Sequence, residues 1–211
     1  FDGSGLVTAW LLALSIPSIA PWWIIVLGTL LCIIFGKHLY GGLGYNLFNP
    51  AMVGYAILLI SFPSIMTHWQ TPTALMSSHA DWLEQVKIIF NNNLSSKDTL
   101  DAMSSATPLD YIKTQLTLHQ PLSIIKQEKI FGFVGGTGLE LINLGYLAGG
   151  LYLLKEKIIS WHLPVAFLST LFITALIFNA ISPDVFASPL FHIMSGGSML
   201  CAFFIITDPV S

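Results

Sequence analysis

One stretch of the chain gathers residue types that could do chemistry at a fixed point: Asp101-Ala102-Met103-Ser104-Ser105-Ala106-Thr107-Pro108-Leu109-Asp110. Thr107 precedes Pro108, and Asp110 follows three positions after the threonine. Threonine is a favoured N-cap, and proline suits the first helical position because its missing N–H has no partner there anyway. An acid at the third helical position completes a T-x-x-D capping-box pattern. The spacing predicts a helix over 107–118 with the Thr107 hydroxyl at its open end. Such an end offers unpaired N–H donors and the positive pole of a dipole, which suits a phosphate group. On local sequence alone, a threonine that only caps a helix is the plainer reading.

Other polar residues stand out against apolar surroundings. Gly41, Gly42, Gly44, Asn46, Asn49 and Pro50 form a helix-poor stretch, and Gly196 and Gly197 interrupt a late apolar run. Paired interruptions of this kind can frame a central site built from half-helices. Close helix packing by small residues explains the same glycines. His192 and Asn179 lie inside apolar runs, Glu140 opens one and Asp208 ends one. Polar groups within a membrane are costly and often functional. For His192 and Glu140 an interfacial position is the simpler reading, and Asp208 before Pro209 reads as a helix stop. His38, His68, His79, His119 and His162 lack metal-ligand spacing, and Cys32 and Cys201 lack CxxC spacing. Trp69, Trp82 and Trp161 read as interfacial anchors or core.

The elements that must position these residues follow from composition. Of 211 residues, 54% are hydrophobic and 9% charged, against about 25% charged in an average soluble domain. Mean hydropathy is +0.74. The expected class is an all-α, polytopic membrane bundle. All eight basic residues are lysines, so no arginine-bearing basic face exists for nucleic acid. Phe1 is not a methionine and Asp208-Pro209-Val210-Ser211 is no natural ending, so the sequence is expected to be an internal piece of a longer protein.

Apolar runs cover 6–16, 22–35, 51–66, 139–154, 162–181 and 189–206, which predicts five or six spans. Three regions result: membrane segments over 1–66, a water-exposed insertion over 67–138, and membrane segments over 139–211. The insertion holds five of the eight lysines and six of the eleven acids. Within it, 81–90 and 107–118 read as amphipathic helices. Lys37 ends the second run, and Lys155 and Lys157 end the fourth. Lysine-bearing short loops lie in the cytoplasm, whereas loops longer than about 60 residues cross regardless of charge. One span separates the insertion from each basic loop. The insertion is therefore expected on the outer, periplasmic side of a bacterial inner membrane.

The order Asp-x-x-Ser-Ser-Ala-Thr resembles the flavinylation motif Asp-x-x-(Ser/Thr)-Gly-Ala-Thr, in which a flavin transferase joins the phosphate of FMN to the last threonine. That resemblance implies Thr107 as the acceptor, with Asp101, Ser104, Ser105 and Ala106 at the recognition positions. Ser105 replaces the motif's glycine and lacks its freedom at positive φ. Further blocks resemble the RnfD subunit of the Rnf complex. They are Ala20-Pro21-Trp22-Trp23, Lys37 to Asn46, Phe48-Asn49-Pro50-Ala51-Met52, Leu59-Ile60-Ser61-Phe62-Pro63, Ser195-Gly196-Gly197-Ser198-Met199, Ala202-Phe203-Phe204-Ile205 and Thr207-Asp208-Pro209.

This resemblance implies electron transfer through a covalent FMN, coupled to movement of Na⁺ or H⁺ within a multi-subunit complex. It implies other Rnf subunits as partners, among them a second FMN-bearing one, with a flavin transferase for maturation and membrane lipid around the spans. The fold would be similar to that of urea transporters. A second, noncovalent flavin is left open, as are the ion, the donor and the acceptor. The alternatives are an NqrB-like subunit passing electrons to quinone, a flavin-free channel or transporter, and a scaffold that has lost its flavin. A channel has no use for the threonine motif.

Overall fold

Prolines and glycines divide the apolar sequence into short helices. The computed structural model describes residues 3–42, 45–72, 75, 82–91 and 104–208. Asp81, Gly44, His79, Asp101 and Pro209 lie outside the described residues. The chain divides into two compact units, Phe1–Thr71 with Met76–Ser105 and Asp208–Ser211, and Pro72–Leu75 with Ala106–Thr207.

In the first unit, α1 (Ser4–Ser15) stops ahead of Pro17, and α2 (Trp22–Leu31) starts directly after Pro21. The helix runs on as a π-turn over Cys32–Lys37 and a 3₁₀ turn over His38–Tyr40. It ends where Gly41 and Gly42 take φ of 101° and 94°, a backbone state that glycine adopts without penalty. The Asn49 side chain caps α3 (Pro50–Ser61), accepting from Met52 N–H at 3.3 Å. The expected single run 51–66 is broken. Phe62 precedes Pro63, which disfavours helical backbone at Phe62, and α4 (Pro63–Thr67) starts afresh.

Small residues let these helices approach closely. A Cβ at Gly28 would lie 2.6 Å from Leu58 Cδ1 and 2.9 Å from Leu12 Cδ2. One at Gly36 would lie 2.6 Å from Pro50 Cα. Lys37 is 8% exposed, and its ammonium donates to the Ser4 hydroxyl. Expected at a solvated loop tip, it is the buried last residue of the π-turn. Lys155 and Lys157 are exposed.

Beyond α4, β1 (Trp69–Gln70) pairs antiparallel with β2 (Ser104–Ser105), Trp69 opposite Ser105 and Gln70 opposite Ser104. The amphipathic helix expected over 81–90 is α5 (Trp82–Asn91). The two-residue ribbon is the one sheet among the described residues of a mostly helical chain.

The second unit holds α6 (Pro108–Thr117), α7 (Leu122–Ile125), α8 (Leu139–Lys155), α9 (His162–Ile181), α10 (Pro189–Met194) and α11 (Ser198–Leu200), which continues as a π-turn over Cys201–Ile205. The run 189–206 is thus interrupted at Ser195-Gly196-Gly197. Ile193, Met199, Ala202 and Phe203 form its core, and the Phe203 ring fills the space beside Gly150. Two helices among the described residues are long and apolar enough to cross a membrane, Trp22–Tyr40 with mean hydropathy 1.8 and His162–Ile181 with 2.0. That is fewer than the five or six spans expected: the breaks at Phe62 and at Ser195–Gly197 leave shorter pieces, and α1 and α8 are 12 and 17 residues long.

The packing gives a paired test. Gly36→Ala should lower the stability of the detergent-solubilised protein by about 1–3 kcal/mol, because its methyl group would meet backbone. Gly145→Ala, with open space around the site, should leave the melting temperature unchanged or slightly higher. Equal melting temperatures for the two variants would contradict the close contact.

Candidate functional site

The apolar side of α6 fixes where Thr107 sits. Ile112 is buried with Leu122, Ile125, Ala187 and Phe191, and Leu109, Tyr111, Leu116 and Phe131 pack around them. Leu109, Ile112 and Leu116 recur at i, i+3 and i+7, which aligns them on one helix face. Tyr111 and Phe131 meet edge to face at 6.0 Å, and Phe131 lies 5.9 Å from Phe191. Pro108 is buried, and its ring occupies the space beside Gly136 where a Cβ would otherwise stand. The helix start is therefore held by packing on both sides, while Thr107 is half-buried and Ala106 exposed.

The cap itself departs from the expected box. Asp110 N–H donates to Thr107 Oγ1 at 3.2 Å, as a cap requires. The Asp110 carboxylate, however, accepts from the Thr107 hydroxyl at 2.7 Å. In a capping box the third-position side chain would instead accept from the backbone N–H of the cap residue. The sequence pattern located both residues without revealing that they bond through the hydroxyl. The structure brings Thr107 together with Asp110; Ser104 and Ser105 lie in β2, and Asp101 lies outside the described residues.

Two further Ser/Asn-Pro starts exist among the described residues. Asn49 caps α3, and Ser188 caps α10 by accepting from Phe191 N–H at 3.4 Å. All three have proline at the first helical position. Asn49 is followed at the third helical position by Met52 and Ser188 by Phe191. Thr107 is the one of the three with a carboxylate at the third helical position of its own helix.

Across all of residues 1–211 the chain matches the family described as NQR2, RnfD, RnfE. It belongs to that family. Proteins named as the D subunit of an ion-translocating oxidoreductase complex are close in sequence. The one from Shewanella denitrificans is 51% identical over 215 residues, covering 100% of this chain and 61% of the relative. That from Yersinia pseudotuberculosis is 50% identical over 218 residues, with 100% and 62% covered. That from Cronobacter sakazakii is 47% identical over 218 residues, again with 100% and 62% covered. The chain thus spans about three fifths of the length of these relatives of the NQR2, RnfD, RnfE family.

In this family member the side chains of Glu140, Asn179 and Asp208 have structural partners. Glu140 Oε1 accepts from Val134 N–H and Gly135 N–H, both at 2.6 Å. It clasps a tight turn that is closed by Gly132 N–H donating to Gly135 O at 2.8 Å, with Phe133 at its tip 98% exposed. A Cβ at Gly132 would lie 2.5 Å from the same carboxylate oxygen, and one at Gly135 2.7 Å from Met194 O. Sequence reading placed Glu140 at an interface and missed this clasp, whose only signal is the glycine spacing before it. Asn179 donates to Phe186 O at 2.7 Å, which ties the end of α9 to the following loop. The His192 carbonyl accepts from Ser198 Oγ at 3.1 Å, bridging the α10–α11 break. Asp208 accepts from Asn49 Nδ2 at 3.4 Å. Cys32 and Cys201 are free thiols.

The break also holds a polar pair that the sequence did not single out. Asn143 is 1% exposed, and its Nδ2 donates to Leu139 O at 3.1 Å and Met194 O at 3.0 Å. Asn143 Oδ1 and Ser195 Oγ are buried without a hydrogen-bond partner.

The clasp predicts that Glu140→Ala loosens the turn before α8. Hydrogen bonds to a charged group contribute about 1.5–3 kcal/mol each. Limited proteolysis of the purified protein should therefore cut within 131–136 roughly tenfold faster or more in the variant. Unchanged cleavage would show that the turn holds itself.

Proposed function

We propose that the chain is the flavin-bearing part of an Rnf-type membrane subunit, with FMN esterified through its phosphate to Thr107. The observation that carries this reading is the half-exposed Thr107 hydroxyl at a packed helix start, in a family member whose sequence matches the flavinylation motif at Asp101, Ser104, Ala106 and Thr107. The residues fit such a group. A hydroxyl must be reachable to be esterified, and the Leu109 N–H in the first turn of α6, beside the positive end of the helix dipole, offers a donor to a phosphate oxygen. The bound flavin would supply one- and two-electron transfer, whereas the protein supplies position and electrostatics.

The relatives' name, which places them in an ion-translocating oxidoreductase complex, supports a place among other complex subunits. Rnf-type electron transfer coupled to Na⁺ or H⁺ movement is the activity proposed for the whole assembly. The stretch 67–138 is proposed to lie on the periplasmic side of a bacterial inner membrane, opposite exposed Lys155 and Lys157.

Two measurements test this. Full-length protein co-expressed with a flavin transferase should give a band fluorescent under ultraviolet light on a denaturing gel. That band should vanish in Thr107→Val, and a dark wild-type band would reject the assignment. In cells whose native cysteines have been replaced, Lys113→Cys should react with a membrane-impermeant thiol reagent added from outside. Labelling only after the cytoplasmic face is exposed would reverse the topology.

A further inference from the structure

The Thr107 hydroxyl has one hydrogen and two lone pairs. Its hydrogen is committed to Asp110 Oδ2 at 2.7 Å, and one lone pair accepts from Asp110 N–H at 3.2 Å. One lone pair is left, on a residue that is only half-buried. This is the arrangement of a nucleophile held beside a base. The two heavy atoms lie within the ~2.6–3.2 Å reach that proton transfer needs. Capping alone does not require it. Ser188 and Asn49 cap α10 and α3 with phenylalanine and methionine at the equivalent position.

We propose that Asp110 is the general base, carried by the substrate itself, for esterification of Thr107. The inference rests on Thr107 being the flavin acceptor and adds the residue that prepares it. Forming an ester of this kind needs an activated flavin phosphate, which a flavin nucleotide with a pyrophosphate linkage supplies. Thr107 Oγ1 forms a bond to the flavin-side phosphorus. The pyrophosphate P–O bond breaks, and its electron pair leaves with the nucleoside monophosphate. The hydroxyl proton passes to the Asp110 carboxylate and then to solvent. Nothing is oxidised or reduced. Once the ester exists, Thr107 has no hydrogen to give, and Asp110 loses that bond while keeping its own N–H at the helix start. Asp110 thus acts in maturation and has no part in holding the finished ester.

The test uses full-length protein in membranes, incubated with purified flavin transferase and flavin adenine dinucleotide. Incorporation is followed over time by in-gel fluorescence and intact mass, normalised to monodisperse protein after solubilisation. Asp110→Asn keeps an acceptor for the Thr107 hydroxyl but cannot take its proton, so incorporation should slow by about 10²–10⁴-fold. Asp110→Glu restores a carboxylate and should recover most of the rate. A time course for Asp110→Asn that overlays the wild type overturns the assignment while leaving Thr107 as acceptor. An Asp110→Glu variant as slow as Asp110→Asn overturns it too, because the effect would then belong to the shape of the cap. A wild type that gains no mass removes the acceptor reading itself, a result recognisable without any Asp110 variant.

Discussion

The seat of the Pro108 ring against Gly136 is the contact on which the candidate site depends. A helix start with an exposed hydroxyl would ordinarily fray, since its first N–H groups lack partners within the helix. Here the proline needs no N–H partner, its ring is buried, and the apolar face of α6 continues into the Ile112–Phe191 cluster. Gly136 must be glycine for the ring to sit there, and the turn before it is held by the Glu140 carboxylate. Thr107 is therefore held in place by packing around it without itself being buried.

Local rules were legible where they act within four residues. Asn49-Pro50 and Thr107-Pro108 announced helix starts, and both side chains cap as their types dictate. The amphipathic spacing in 81–90 and 107–118 gave α5 and α6 to within a residue or two. The glycines at 196 and 197 marked the α10–α11 break. What stayed hidden depends on partners distant in sequence. Lys37 reads as a loop cation, yet Ser4 lies 33 positions away and receives its ammonium inside the first unit. Pro63 sits within a continuous apolar stretch that hides the break, although the residue before a proline resists helix. The hydroxyl–carboxylate bond at Thr107 was hidden for another reason. The T-x-x-D pattern is compatible with either of two hydrogen-bond arrangements, and sequence spacing does not choose between them.

The chain belongs to the NQR2, RnfD, RnfE family, and relatives of it are named as the D subunit of an ion-translocating oxidoreductase complex. Small residues let its helices come close, as at Gly28, Gly36, Gly54 and Gly150, with Leu58 and Phe203 filling the space beside two of them. This is the economy expected where lipid offers no hydrophobic drive for helices to associate.

Asn143 carries a consequence of its own. Both hydrogens of its amide nitrogen are spent on carbonyls, one in α8 itself and one at the end of α10. The amide can therefore adopt only one of its two flips, because reversing it would set oxygen against two carbonyl oxygens. The link across the broken helix is directional, and isosteric replacement by aspartate would turn it from attraction to repulsion. A side chain of the right size and shape is insufficient at this position; it must also bring two hydrogens.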